Sequence, residues 1–123
     1  MSKNSDLGLL VLRVGVSGLM LTHGFPKLLK LLQGDFDFAD PIGLGGMITL
    51  ILTVIAEAIC PVLIIVGIKT RLATIPPIIA MGVAAFVVHA ADPIATKEKA
   101  LLYLVAFIAI GLMGAGKLSL DRK

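Results

Sequence analysis

One cysteine, one tyrosine, two histidines and no tryptophan occur in 123 residues, and only 15% of the chain is charged. The lone Cys60 rules out an intrachain disulfide and leaves no second thiol for a dithiol couple, so it reads as a small apolar filler. No pair of His or Cys within one helix has ligand spacing, which argues against a metal site. No flavin, nucleotide or haem motif occurs, and no basic run interleaved with aromatics points to nucleic acid. Met1 to Asp6 is polar and nearly neutral, unlike the basic start of a cleaved signal, so the first apolar segment is expected to be retained.

What the chain has in excess is grease. Hydrophobic residues make up 58% of it, against about 45 to 50% in an ordinary soluble domain. They come in long blocks rather than short stripes. Ile42 to Ile68 holds a single charge, Glu57; Leu72 to Ala91 holds only the titratable His89; Ala100 to Gly116 holds none. Each block is about long enough to cross roughly 30 Å of hydrocarbon at about 1.5 Å per residue. With the first block they give four spans, near 7–29, 44–68, 72–91 and 98–116. The expected fold is an all-α integral membrane protein, a single domain over 1–123 built as an antiparallel bundle of four transmembrane helices joined by short connections. Gly8, Gly15 and Gly18 on the first helix, and Gly111 with Ala115 on the fourth, are the expected points of close helix approach.

The first connection, Gln33 to Gly46 (QGDFDFADPIGLGG), reads as a loop. Phe36 and Phe38 lie either in water or in the headgroup layer. Four spans put the N-terminus, the 69–71 connection and the C-terminus on one side, with Lys3, Lys69, Arg71, Lys117, Arg122 and Lys123. Lys27, Lys30, Lys97 and Lys99 lie on the other. Six cations against four place both termini in the cytoplasm by the positive-inside rule.

Charged groups inside such spans are costly, at least about 2.5 kcal/mol each on insertion scales, and call for partners. Arg13 lies about seven residues into the first span and Glu57 about twelve from the end of the second, so their depths match to within several ångströms. They are expected to pair, either as a lock on helix register or as one wall of a polar ligand pocket. His23 and His89 share a stratum near the opposite end. Lys27 follows His23 by one turn on the same face, and Glu98 opens the fourth helix at that level. Singly each histidine reads as an interfacial residue. Together they point to a proton-handling or anion-tolerant site. Pro26 and Pro61 withhold an N–H from the carbonyls of Thr22 and Glu57, which then need another partner in lipid. Pro76 and Pro77 read as a helix start.

The runs LRVGVSGLMLTHGFPKL, AEAICPVLIIVGIKTRLA, FVVHA and EKALLYLVAFIAIGLMGAGKLSLD resemble the DoxX family of small four-helix bacterial membrane proteins over nearly the whole chain. The resemblance rests on Arg13, Gly24, Lys27, Glu57, Gly67, Thr70, Arg71 and His89, and then on Glu98, Gly114, Gly116, Ser119 and Asp121. Cys60-Pro61 departs from it, since relatives commonly have glycines after the glutamate. The resemblance implies a place in the bacterial inner membrane and an association with thiosulfate:quinone oxidation or with complexes defending against thiol or oxidative stress. The expected function is therefore a quinone-linked oxidoreductase subunit or quinone-binding membrane component. His23, His89 and Glu57 would move protons, and Arg13, Lys27, Glu57 and Glu98 would bind the ligand. The residues name no cofactor, a quinone being the candidate that the resemblance offers, and the bilayer is the first partner. A redox partner protein would supply electrons, and a homo-oligomer is left open. The alternatives are a small-molecule or proton transporter and a non-catalytic scaffold.

Overall fold

The computed structural model describes residues 3–121, which form helices and connections with no strand among them. The helices are α1 (Lys3–Leu32), α2 (Gly46–Val66) and α3 (Thr70–Val88), and α4 (Ile94–Met113). The first three are long and apolar enough to cross a membrane. α4 carries Lys97, Glu98 and Lys99 in its first two turns and only uncharged residues from Ala100 on.

Burial along α1 follows a helical stripe of unusual composition. Asp6, Leu9, Arg13, Ser17, Met20 and Gly24 are buried, at spacings of three and four that place them on one face. Leu7, Val11, Val14, Leu19 and Phe25 are exposed. Charged and small residues turned inward and large apolar ones outward reverse the soluble pattern. The arrangement suits lipid, where polar groups must find partners inside the protein. Met20, Ile64, Met81, Phe107 and Ile110, from all four helices, form the central apolar cluster.

Gly24 is where α1 meets α2. A Cβ there would collide with the carbonyl of Glu57, while a Cβ on Gly67 would strike the Arg13 guanidinium. Rising numbers on α1 thus match falling numbers on α2, and the two run in opposite directions. Nothing lies within 4 Å of a Cβ built on Gly8, Gly15 or Gly18. Those glycines lie off the buried stripe and do not make the expected close approach. Gly111 does, against the Thr74 hydroxyl.

Among the described residues two turns are widened to π geometry, Ile55–Ile59 within α2 and Ala84–Val88 at the end of α3. The first lies directly ahead of Cys60-Pro61. The carbonyl of Glu57, to which Pro61 has no N–H to give, instead faces the Gly24 backbone, where a Cα–H can approach it. α3 is interrupted at Thr74, and Pro76 and Pro77 open its longer second segment, Ile75–Val83.

α4 ends at Gly114, and positive φ angles at Gly114 (80°) and Gly116 (79°) fold the chain back. The returning tail seals one end of the molecule. The Lys117 N–H donates to Asp6 and the Asp121 carboxylate accepts the N–H groups of Lys69 and Thr70 at 2.8 and 2.9 Å. The Asp121 N–H reaches the Gly67 carbonyl at 2.8 Å. A carboxylate on the first N–H groups of α3 satisfies orphan donors and complements the helix dipole.

Candidate functional site: a carboxylate–ammonium pair between two cavities

Arg13 is fully buried, but its partner is not Glu57. Its Nη1 donates to the carbonyls of Ile64 at 3.1 Å and Ile65 at 3.5 Å, and Nη2 donates to that of Leu118. Ile64 and Ile65 are in the last turn of α2, whose carbonyls have no intrahelical donor, so the guanidinium caps that helix and sits at the negative end of its dipole. Nε has no partner. The expected pairing fails because α1 overhangs the end of α2: residues from Asp6 to Leu9 contact the returning tail near Gly116 instead. Depth counted from helix ends therefore misplaces Arg13, which lies level with Gly67 rather than with Glu57.

Glu57 pairs with Lys27. The Lys27 Nζ stands 2.6 Å from Glu57 Oε1, the carboxylate side chain 7% exposed and the lysine 30%. Lys27 is one turn beyond Gly24, and the close contact at Gly24 brings the ammonium within reach. Glu57 sits inside the π turn of α2, a distortion found often at functional sites.

The pair borders two cavities. The larger, about 440 Å³, lies between α2 and α3 and is walled by apolar side chains, among them Leu52, Ile55, Ile79 and Val83; Phe38, Pro41, Ile42 and Leu44 of the first connection cover it. The smaller, about 210 Å³, is richer in polar residues: His23, Lys27, Glu57, His89, Thr96, Lys97, Lys99 and Tyr103 line it beside Met20 and Met81. Lys27, Glu57 and Ala84 belong to both. His23, Lys27, Glu57 and His89 are thus gathered in one place. Arg13 and Glu98 are not: Arg13 caps α2 at the far end, and Glu98 is exposed, outside both linings.

The histidines are held differently. His23 packs edge-on against Tyr103 with centroids 5.9 Å apart, and Tyr103 stacks on Phe107 at 6.3 Å. His89 sits at the rim, its Nδ1 2.8 Å from Asp92 Oδ2. That contact fixes the ring and leaves Nε2 as the nitrogen free for exchange. Tyr103, Lys97 and Lys99 were not foreseen as site residues. Thr96, Ala100 and Tyr103 follow at four and three, so reading α4 as a helical face would have found the tyrosine.

The first connection folds back on α2 through one of its two phenylalanines. Phe38 packs against Leu50, Val54 and Ala58, while Phe36 stays exposed. Asp40 pins the loop by accepting the N–H groups of Leu44 (2.8 Å) and Gly45 (2.9 Å) and the Thr49 hydroxyl (3.1 Å). These bonds, the Gly45 N–H foremost, hold the Asp40 carboxyl below its ordinary pKa. Among the described residues no group of three His, Cys, Asp or Glu could hold a metal ion.

Helices that turn charge inward and aliphatic side chains outward define a membrane protein with an internal polar seam. A family comparison matches the chain to DoxX over residues 8–90, and the chain belongs to the DoxX family. No curated protein matches it, and neither does any solved structure.

Proposed function

We propose that this protein is a quinone-binding component of the bacterial inner membrane, a subunit of a quinone-linked oxidoreductase in redox or thiol-stress metabolism. It is an antiparallel bundle of four transmembrane helices with both termini in the cytoplasm. α4, 20 residues long, reaches about 30 Å, and its lysines snorkel from the first turns. Contacts of Asp6 with Lys117 and of Asp121 with Lys69 and Thr70 gather the N-terminal turns, the α2–α3 connection and the tail at one end. That end carries Lys3, Lys69, Arg71 and Lys117; Arg122 and Lys123, also counted in the charge asymmetry, lie outside the described residues.

The observation that carries the reading is the Lys27–Glu57 pair on the seam between an apolar cavity and a histidine-lined one. A quinone has an apolar chain and a polar ring with two carbonyl oxygens, which fits a greasy cavity ending at a hydrogen-bond donor. When bound, it supplies a two-electron acceptor. The Lys27 ammonium donates to a carbonyl oxygen at the seam. Glu57 stands beside it as proton acceptor or donor, and His23 and His89 pass protons between the seam and the rim. Electrons come from a partner protein.

Binding of a quinone analogue in nanodiscs tests this. The wild type is expected to bind, with affinity at least about tenfold lower in Lys27→Met and Glu57→Gln and little changed in Arg13→Lys. No binding, or binding indifferent to Lys27 and Glu57, would remove the quinone reading. Flux into proteoliposomes that needs Glu57 without any quinone would put the transporter reading in its place.

A further inference from the structure

We infer that the smaller cavity is a seat for a phosphate-type oxyanion, supplied by the headgroup of an anionic phospholipid or by free phosphate. Three lysines line it, Lys27 from α1 and Lys97 and Lys99 from α4, against one carboxylate residue, Glu57. Glu57 is already paired with Lys27 at 2.6 Å. Lys97 reaches the Ala90 carbonyl, at 3.3 Å, and neither Lys97 nor Lys99 forms a salt bridge among the described residues. The nearest other acids are engaged or turned away: Asp92 holds His89 at 2.8 Å, and Glu98 is outside the lining. Two lysines that line this concave space are therefore without a carboxylate partner among the described residues. His23, His89, Thr96 and Tyr103 add hydrogen-bonding groups around the same space.

Uncompensated cations around a cavity attract an anion, and ammonium–phosphate contacts are charge-assisted and strong. At about 210 Å³ the cavity has ample room for a phosphate, since one water takes about 30 Å³. The first turn of α4 has no acidic residue, so the positive end of its dipole is not offset there. For a lipid the neighbouring apolar cavity matters as well, because it shares Lys27, Glu57 and Ala84 with this one. An acyl chain could follow that opening while the phosphate stays between the lysines. The seat does not rest on the quinone reading, since it depends on Lys97 and Lys99, to which that reading assigns no task, although an acyl chain in the apolar cavity would compete with a quinone there.

The test uses the full chain in nanodiscs of phosphatidylcholine, with or without a minor fraction of phosphatidylglycerol, analysed by native mass spectrometry. A parallel titration adds inorganic phosphate to the phosphatidylcholine discs and follows it by calorimetry. The wild type is expected to retain phosphatidylglycerol, bind phosphate, or do both; the first points to the lipid source and the second to the soluble one. Lys97→Gln with Lys99→Gln should weaken that binding at least about tenfold. Lys30→Gln, at the same end but outside both cavities, should leave it intact. The helical circular-dichroism signal and unfolding midpoint of the same double variant report whether the fold survives, whatever the outcome for the quinone. Neither probe binding, or equal binding by wild type and double variant, would overturn the site.

Discussion

Replacing Arg13 with leucine tests the correction that matters most to the architecture. The guanidinium supplies donors to the carbonyls of Ile64, Ile65 and Leu118. Each hydrogen bond from a charged donor is worth about 1.5 to 3 kcal/mol, and the helix-end charge adds up to about 2 kcal/mol in a buried setting. Against these stands the cost of keeping a guanidinium out of water, which its removal relieves. With two close bonds, one long one and an unpartnered Nε, the net loss should be about 2 to 4 kcal/mol. Arg13→Lys keeps the charge and can reach one carbonyl, so it should lose about half as much. Unfolding titrations in mixed micelles, followed by circular dichroism, give these values. The decisive arm is a pair of double-mutant cycles. Arg13 lies about 21 Å along α1 from Lys27, so Arg13→Leu and Glu57→Gln should add to within about 0.5 kcal/mol, whereas Lys27→Met and Glu57→Gln should couple by about 1 to 3 kcal/mol. Strong coupling between Arg13 and Glu57, or none between Lys27 and Glu57, would refute this arrangement of charges.

Gly24→Ala should cost about 1 to 3 kcal/mol, because the added methyl meets the backbone of α2 rather than a movable side chain; Gly15→Ala, with open space around it, should be neutral or slightly stabilising in the same titration. Asp121→Ala should destabilise by about 0.5 to 2 kcal/mol through loss of the cap on α3, and an unchanged midpoint would count against that cap. Asp40 has a pKa held below its ordinary 3.8, so the unfolded loop binds the proton more readily. Its stabilising effect is complete above that value and disappears as pH falls through the lower folded one. Hydrogen exchange should therefore show the Leu44 and Gly45 amides protected at neutral pH and released only in strong acid, and exposed throughout in Asp40→Ala; release already near pH 5 would contradict the bonds. For orientation, in a Cys60→Ala background an impermeant thiol reagent applied to intact cells should label Asp37→Cys and not Lys117→Cys, and the opposite pattern would reverse the topology.

The helices were legible from the spacing of charge in the sequence, since only lipid explains blocks as long as Ile42 to Ile68 and Leu72 to Ala91. Their ends were less so. α1 extends from Lys3 to Leu32, beyond the expected 7–29, because its polar first turns find partners in the tail. α4 begins at Ile94 and stops at Met113 where Gly114 turns the chain. The neighbourhood of His23, Lys27, Glu57 and His89 could be approached from depth and helical face alone. The partner of Arg13 could not. It required knowing that the segment after Gly114 returns to the end of α2, a contact between residues about a hundred positions apart. The small-residue stripe misled for a similar reason: composition marks which glycines permit close approach, and only the buried face of α1 decides which one is used.

The residues that carry the family resemblance divide into two groups once placed in space. Arg13, Gly67, Thr70, Asp121, Gly116 and Ser119 meet at the tail end, where Arg13 caps α2 and Asp121 caps α3. Arg71 extends the pattern, its Nη2 lying 3.5 Å from the Met113 carbonyl at the end of α4. There the main charged groups answer a helix terminus, which uses charge to hold geometry. Gly24, Lys27, Glu57 and His89 meet at the other end, where both π turns lie and both cavities open. A π turn gives up regular helix packing, and a cavity gives up dispersion contacts. Such losses can be carried at one end of a small bundle when the other end is tightly tied, because the capped helix ends fix the register from which the seam is built. The division also says where to look for chemistry. A guanidinium bonded to carbonyls at a helix end has most of its N–H groups committed to the backbone, whereas an ammonium and a carboxylate 2.6 Å apart, with space on both sides, can exchange each other for a guest.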